Sequence, residues 1–413
     1  MQTFSLVFIA FVVLATATDY WLAARHARHV RAHRGAVPQR FAGVISLEAH
    51  QKAADYTLAK LFVDRWAGLW GVALLIIWTL GGGLEWLDQM VRGFGFGGLA
   101  TGVAVMLGFF VIGQLLEMPF DLWKTFGVEA RFGFNKMTPG LYVSDLFKQL
   151  GLMLAIGGPL AFVILWLMQG MGSLWWLYAW LVWTAFSLFM IWAFPTFIAP
   201  LFNKFTPLEE GEFRSRIEAL LARCGFTSKG LFVMDGSKRS AHGNAYFTGL
   251  GNAKRIVFFD TLINTLQVDE AEAVLAHELG HFRHGHVKKR LIIMTAMSLA
   301  GFAALGWLMQ QAWFYQGLGV SEGSNHIALL LFMLVMPVFL FWAGPISSWF
   351  SRRHEFEADA YAAAHADAEK LISALVKMYE DNAATLTPDP LYSAWHDSHP
   401  PAPVRIAHLE ALQ

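Results

Sequence analysis

Seven apolar runs, each long enough to cross a bilayer, constrain this chain more than any other feature. A spanning helix needs about 20 mostly apolar residues, and residues 3–22, 66–84, 93–116, 150–170, 174–198, 291–309 and 327–350 meet that test. None of these runs holds an Asp, Glu, Lys or Arg except Asp19, close to the end of the first. A charge at a helix centre costs roughly 2.5–3.5 kcal/mol on insertion scales, so the absence is informative. Charged residues make up only 15% of the 413 residues, against about 25% in an ordinary soluble protein. The mean hydropathy is +0.43. The chain reads as a predominantly α-helical, multi-pass integral membrane protein whose 17 Trp and 35 Phe suit interfacial belts and lipid-facing packing.

Composition also excludes function classes. The formal net charge is zero, which gives no support for a nucleic-acid partner. The single cysteine, Cys224, rules out an intrachain disulfide and a cysteine-rich metal cluster, and fits a reducing compartment for its domain.

The first run invites a signal-peptide reading. Its opening MQTF carries no basic residue, and the positive cluster follows the apolar stretch instead of preceding it. We therefore expect a retained anchor with its N-terminus outside. Loop charges set the remaining orientation. Arg25, Arg28, Arg31, Arg34, Arg40, Lys52 and Lys60 follow the first span, and only Arg92 separates the second from the third. Lys124, Arg131, Lys136 and Lys148 precede the fourth, and the turn at residues 169–173 has no base. Residues 203–290 are rich in Lys and Arg, residues 310–326 have none, and Arg352 and Arg353 follow the seventh span. Basic and non-basic loops alternate without a break, so the basic loops and the C-terminal tail are expected to face the cytoplasm. The compact tail and the lack of a retrieval-like ending point to a bacterial inner membrane or its equivalent.

The expected organisation is five spans with their loops over residues 1–204, a soluble segment over 205–290, two further spans over 291–350, and a soluble tail over 351–413. The first soluble segment opens with FTPLEEGEFRSRIEALLARCGF, read as an amphipathic helix with Ile217, Leu220 and Leu221 on one side. Short β-like runs follow at Leu231–Met234, Ala245–Thr248 and Arg255–Phe259, separated by Gly and Asn turns. They predict a small sheet leaning on the helix that follows. The tail is mostly helical, broken by TPDPLY and HPPAP.

That following helix, VDEAEAVLAHELGHFRHGHVKKRL at residues 268–291, carries the clearest chemical signal. His277 and His281 stand at i and i+4, on one face, with Cβ atoms roughly 5–6 Å apart. Two imidazoles so placed can reach one zinc ion, leaving Glu278 to handle protons. Asp269 is the expected N-cap, with Glu272 three residues on as a variant capping box. The far end runs through Lys288, Lys289 and Arg290 straight into the sixth apolar run. The plain structural alternative is a polar helix with two solvated histidines.

Catalytic zinc takes a third protein ligand and leaves one position open. The extended metzincin pattern is absent, because positions 284 and 287 hold His and Val. The segment SRRHEFEADAYAAAH at residues 351–365 offers Glu355 instead, with Asp359 one turn on to accept the free ring N–H of a zinc histidine. Glu357 is its rival, and all three carboxylates would also suit a solvated acidic face.

Several separated motifs carry a resemblance: HELGH, EFEADAYA, VEARFGFNKMT at 128–138, PLFNKFTPLEEGE at 200–212, GNAYFTG at 243–249 and SHPPAPVRI at 398–406. Together they resemble the integral-membrane CAAX prenyl endopeptidases, seven-span zinc proteases that remove the last three residues from prenylated proteins. The resemblance runs over nearly the whole chain in the same order. It implies one zinc ion per chain held by His277, His281 and Glu355, with Glu278 as general base and Asp359 supporting a zinc histidine. It also implies a barrel of helices around an intramembrane chamber, with a cytoplasmic metalloprotease domain containing the small sheet.

Within GNAYFTG, residues Asn244, Ala245, Tyr246 and Phe247 resemble the family's substrate-aligning edge strand, whose backbone could pair with an extended peptide. Asn244 would add a side-chain hydrogen bond, although an ordinary hairpin strand would read the same way. His399 and Arg405 would stabilise the oxyanion that develops as water adds; without the resemblance they read as a solvated pair in a Pro-rich loop. His284 and His286 read as the interfacial end of the zinc-motif helix, and Glu129, Asn135 and Lys136 as residues packing against the catalytic domain. The expected partners are membrane lipid and a peptide or protein substrate, prenylated or membrane-tethered. A quality-control metalloprotease acting on unprenylated or misfolded membrane proteins is the related alternative. A transporter with a structural HELGH site is the reading from another class, and the lack of charges within the spans argues against it.

Overall fold

The computed structural model describes residues 3–226, 228, 230–248 and 255–413, and of Thr248 only the backbone. Seven helices among these residues are long and apolar enough to span a membrane: Thr3–His33, Leu47–Trp78, Gly98–Glu129, Pro139–Gly170, Gly172–Phe202, His286–Leu308 and Asn325–His365. They fall on the seven apolar runs, and most extend beyond them into polar sequence. Each span packs against the next, and the seventh returns to the first, so the helices close into a ring around a barrel-like chamber. Widened π turns at Trp123–Glu129, Met153–Gly157 and Phe194–Ile198 interrupt the regular α-helix of three spans. Each has a proline within it or within four residues of it (Pro119, Pro159 or Pro195), whose missing N–H interrupts the helical ladder.

One end of the ring is sealed. Phe8, Trp78, Val105, Leu165, Ala179, Leu305 and Leu330, one from each span, are buried in a single apolar cluster. At the same end His326 Nε2 lies 2.6 Å from Asp88 Oδ1, and Arg92 holds the other carboxylate oxygen at 2.7 Å. The opposite end carries the hydrophilic domain.

That domain has a four-stranded sheet: β1 Phe205–Pro207, β2 Leu231–Met234, β3 Ala245–Thr248 and β4 Arg255–Phe259. The order is β1-β2-β4-β3, with β2 and β4 parallel and both outer pairs antiparallel. β4 is central, so Ile256, Val257 and Phe258 are all buried, while β3 is an edge strand. The sheet shares a core with Ile217, Leu220, Ala276, Leu279 and Leu375. Gly249, the last residue of the GNAYFTG run, lies outside the described residues.

The structure corrects four boundaries. Residues 205–207 are strand, and the amphipathic helix begins only at Glu212, because FTP pairs with β2. The N-cap of the motif helix is Gln267, and its capping box closes on Glu270, two residues before the expected partner Glu272. Glu272 instead binds Arg216 and Arg223 at 3.0 and 2.6 Å. The motif helix does not run straight into the sixth span: it ends at Arg283, Gly285 turns the chain at φ +67°, and a new helix starts at His286. Finally, the tail helix is the continuation of the seventh span through one 3₁₀ turn at Phe341–Ala343. The combined rod Asn325–His365 has 41 residues, which at about 1.5 Å each reach roughly 60 Å, twice the thickness of a hydrocarbon core. The half that projects past the membrane packs along the motif helix.

Candidate active site

Those two helices meet through Gly280 of HELGH. A Cβ on Gly280 would fall 2.9 Å from the Cα of Ala358 and 3.0 Å from the Cβ of Tyr361. Only a glycine lets the backbones approach this closely, and the approach brings Glu355 to the histidine face.

His277 and His281 present their Nε2 atoms 3.3 Å apart. Glu355 Oε1 lies 3.3 Å from His281 Nε2, and its Oε2 lies 3.5 Å from His277 Nε2. Tetrahedral coordination with bonds of about 2.05 Å has edges of about 3.3 Å, so the three donors are spaced as neighbouring corners around one metal ion. Glu355 Oε2 is buried with no hydrogen-bond partner and has Arg405 Nη1 only at 3.7 Å, beyond hydrogen-bond reach, so it keeps a lone pair for a metal cation. Among the described residues no other group of His, Cys, Asp and Glu has this spacing. The donor set therefore fits a metal ion.

Glu357, the rival ligand, is turned away: two residues along a helix is about 200° of rotation. It pairs with His286 Nε2 at 3.0 Å and Arg353 at 3.3 Å. Glu278 is half-buried and makes no hydrogen bond or ion pair among the described residues.

Asp359, fully buried, places Oδ1 2.8 Å from His277 Nδ1. Arg405 grips the same carboxylate with Nε at 2.9 Å from Oδ2, and with Nη2 against Oδ1. Burial works against the Arg405 charge, but the Asp359 and Glu355 carboxylates outweigh it and hold the guanidinium above its usual pKa. Arg405 is 8% exposed. The other residue of the expected oxyanion pair, His399, is open: its side chain is 67% exposed, with Nε2 3.5 Å from Glu355 Oε1.

The edge strand has one free side, and its parity can be worked out. Phe259 N–H donates to Asn244 O at 3.0 Å, which makes 244–259 a hydrogen-bonded antiparallel pair. Such pairs alternate, so Tyr246 and Thr248 also bond inward to β4, while the backbone groups of Ala245 and Phe247 face outward. The outward Ala245 N–H is held by the side-chain oxygen of Asn244 at 2.8 Å.

The membrane loop after the third span docks on the run leading into β3. Lys136 N–H donates to Arg239 O at 3.0 Å and Ala241 N–H to Phe134 O at 2.9 Å, with Asn135 bridging Ser240. Glu129 accepts from Tyr56 at 2.6 Å and lies 3.3 Å from His242 Nε2. His242 Nδ1 in turn meets Asn382 Oδ1 at 2.9 Å. Tyr56, His242 and Asn382 carry no motif, and their separation in sequence leaves no signal by which to find them.

Residues 26–204 match the family profile described as CAAX prenyl protease N-terminal, five membrane helices, and residues 207–413 match peptidase family M48. The chain belongs to peptidase family M48. It is 33% identical over 392 residues to a CAAX prenyl protease 1 homolog of Arabidopsis thaliana, covering 91% of this chain and 90% of the relative. It is 37% identical over 317 residues to CAAX prenyl protease 1 of Saccharomyces cerevisiae, covering 72% and 70%. The crystal structure of S. mikatae Ste24p superposes with a TM-score of 0.92 at 30% identity, over 99% of both chains. This chain is a membrane metalloendopeptidase, and the family implies a metal ion.

Proposed function

We propose that this metalloendopeptidase uses zinc held by His277, His281 and Glu355 to cleave membrane-tethered substrates, removing the C-terminal tripeptide of prenylated CAAX proteins. The observation that carries the proposal is the 3.3–3.5 Å spacing of donor atoms on two buried residues, His277 and Glu355, and the partly buried His281, next in sequence to a Glu278 whose side chain has no partner among the described residues. The substrate class is supported by the names of the relatives, CAAX prenyl protease 1 and its homologs.

Bound zinc would polarise the scissile carbonyl and lower the pKa of water towards 7. The chain's own residues do the rest. Glu278 takes the proton of the attacking water and passes it to the leaving amine. His399, the exposed imidazole over Glu355, faces the oxyanion as it develops. Arg405 has its Nε and Nη2 engaged by Asp359, so we assign it to holding that carboxylate and, through it, the His277 ring. The outward backbone of Ala245 and Phe247 pairs with an extended substrate and reads little of its side chains. Asn244 releases the Ala245 N–H as the substrate strand arrives. The chamber accommodates the prenyl chain, whose burial contributes about 0.8 kcal/mol per CH₂. The excess of Lys and Arg on the site's side of the membrane supports a cytoplasmic active site.

The test uses purified wild type and Glu278→Gln, zinc content, and a farnesylated CAAX peptide beside its unprenylated twin. We expect both proteins to hold one zinc, and only the wild type to cleave, with preference for the farnesylated peptide. Equal cleavage of the two peptides would move the assignment to a quality-control protease. Cleavage by Glu278→Gln would remove Glu278 as the base.

A further inference from the structure

We propose that His286 is a positioning residue for the metal site, backed by Glu357. It fixes the His281 ring as Asp359 fixes the His277 ring. The inference rests on the reading of His281 as a metal ligand, and it concerns the ring nitrogen that faces away from the other donors.

His281 turns Nε2 towards His277 and Glu355, so a metal there requires its proton on Nδ1. That Nδ1 lies 2.9 Å from His286 Nδ1. Two ring nitrogens at that distance share one proton, with one as donor and the other as acceptor. His281 donates, and His286 accepts on Nδ1. The His286 proton is then on Nε2, which donates to Glu357 Oε2 at 3.0 Å. One tautomer satisfies the whole chain. It also explains why His286 is 5% exposed at a helix start where a solvated side chain would be ordinary. Its ring is packed flat against His354, with centroids 4.0 Å apart.

The turn at Gly285 serves the arrangement. A helix running straight through residues 281–286 would place His286, five residues on, about 140° around the axis from His281. The left-handed residue breaks that course, and the first residue of the sixth span folds back onto the motif. The metal site is thereby tied to the sixth span through His286 and to the projecting half of the seventh through Glu357.

Removing such outer hydrogen bonds typically weakens metal affinity 10–100-fold. The experiment measures zinc dissociation constants by chelator competition on the full-length protein in detergent, alongside thermal unfolding of the metal-free form. His286→Ala is expected to bind zinc 10–100-fold more weakly with metal-free unfolding unchanged. His286→Asn, whose side-chain oxygen can accept where Nδ1 stood, is expected to recover part of the loss. Glu357→Ala should fall between wild type and His286→Ala. Zinc affinity within twofold of wild type in both His286→Ala and Glu357→Ala would overturn the proposal. His281→Ala is the control: if it keeps wild-type zinc affinity, the ligand assignment itself fails, a different result from loss of affinity in His281→Ala alone.

Discussion

Asp359 faces His277 across 2.8 Å, on the ring nitrogen opposite the one turned towards Glu355. The contact orients the ring and fixes its tautomer, and Arg405 holds the same carboxylate through Nε and Nη2, with Nη2 3.2 Å from the same ring nitrogen. Asp359→Asn is expected to weaken zinc binding 10–100-fold, measured by chelator competition. Arg405→Met leaves a buried carboxylate without its cation, so it should destabilise the fold by about 3–5 kcal/mol. The double variant removes both charges together. Its unfolding midpoint should lie above that of Arg405→Met alone, and a still lower midpoint would count against the pairing.

Gly280 sets how closely the motif helix approaches the helix bearing Glu355. A methyl group there meets backbone at 2.9 Å, which no rotamer change relieves. Gly280→Ala should cost about 1–3 kcal/mol in stability. It should also lower bound zinc by moving Glu355 away from both histidines. Retention of full zinc and an unchanged melting temperature would mean that the helices separate without consequence.

These two contacts show where sequence reading stops. The spans are legible because a charge-free run of about 20 residues has few other fates, and HELGH is legible because its spacing is local to one helix. Glu355 and Glu357 cannot be told apart locally. Both sit in one acidic run, and only the approach at Gly280 decides which face meets the histidines. β1 escapes notice because three residues are too few to show alternation. The Tyr56–Glu129–His242–Asn382 network joins four distant segments, and apart from Glu129 none of its members stands out in its own surroundings.

Backbone parity on β3 gives a pair of contrasting substitutions. Ala245 turns its N–H outward, whereas Tyr246 bonds inward to Val257. Edge strands accept proline where the lost N–H faces away from the sheet. Ala245→Pro should therefore fold and bind zinc normally but raise KM about tenfold, the equivalent of one hydrogen bond of about 1.4 kcal/mol. Tyr246→Pro should lower thermal stability instead. An unchanged KM in Ala245→Pro would show that substrate does not use this N–H.

The His242 network anchors the chain just before that strand. His242→Ala frees the segment that Glu129 and Asn382 hold, without touching the metal donors. KM should rise while kcat and zinc content stay near wild type. An equal fall in kcat with KM unchanged would instead point to a role in the chemical step.

Stability of the catalytic domain should depend on pH through Glu270, at the start of the motif helix. Its carboxylate accepts from Lys377 at 2.7 Å, Ser373 at 2.6 Å and Gln267 N–H at 2.7 Å, and it is only 3% exposed. Burial alone would raise its pKa, and these partners outweigh burial and bring it below the usual 4.5. A depressed folded pKa means that the folded state favours the charged form. Its contribution is present in full above about pH 4.5 and is lost as the pH falls through the lower folded value. Glu270→Gln removes the charge but keeps the shape, and should cost about 2 kcal/mol at pH 7. The difference from wild type should shrink steadily below pH 4.5, because protonation then does to wild type what the substitution has already done. Unfolding midpoints measured across pH 3–8 check the sign: a gap that widens on acidification would contradict the assignment.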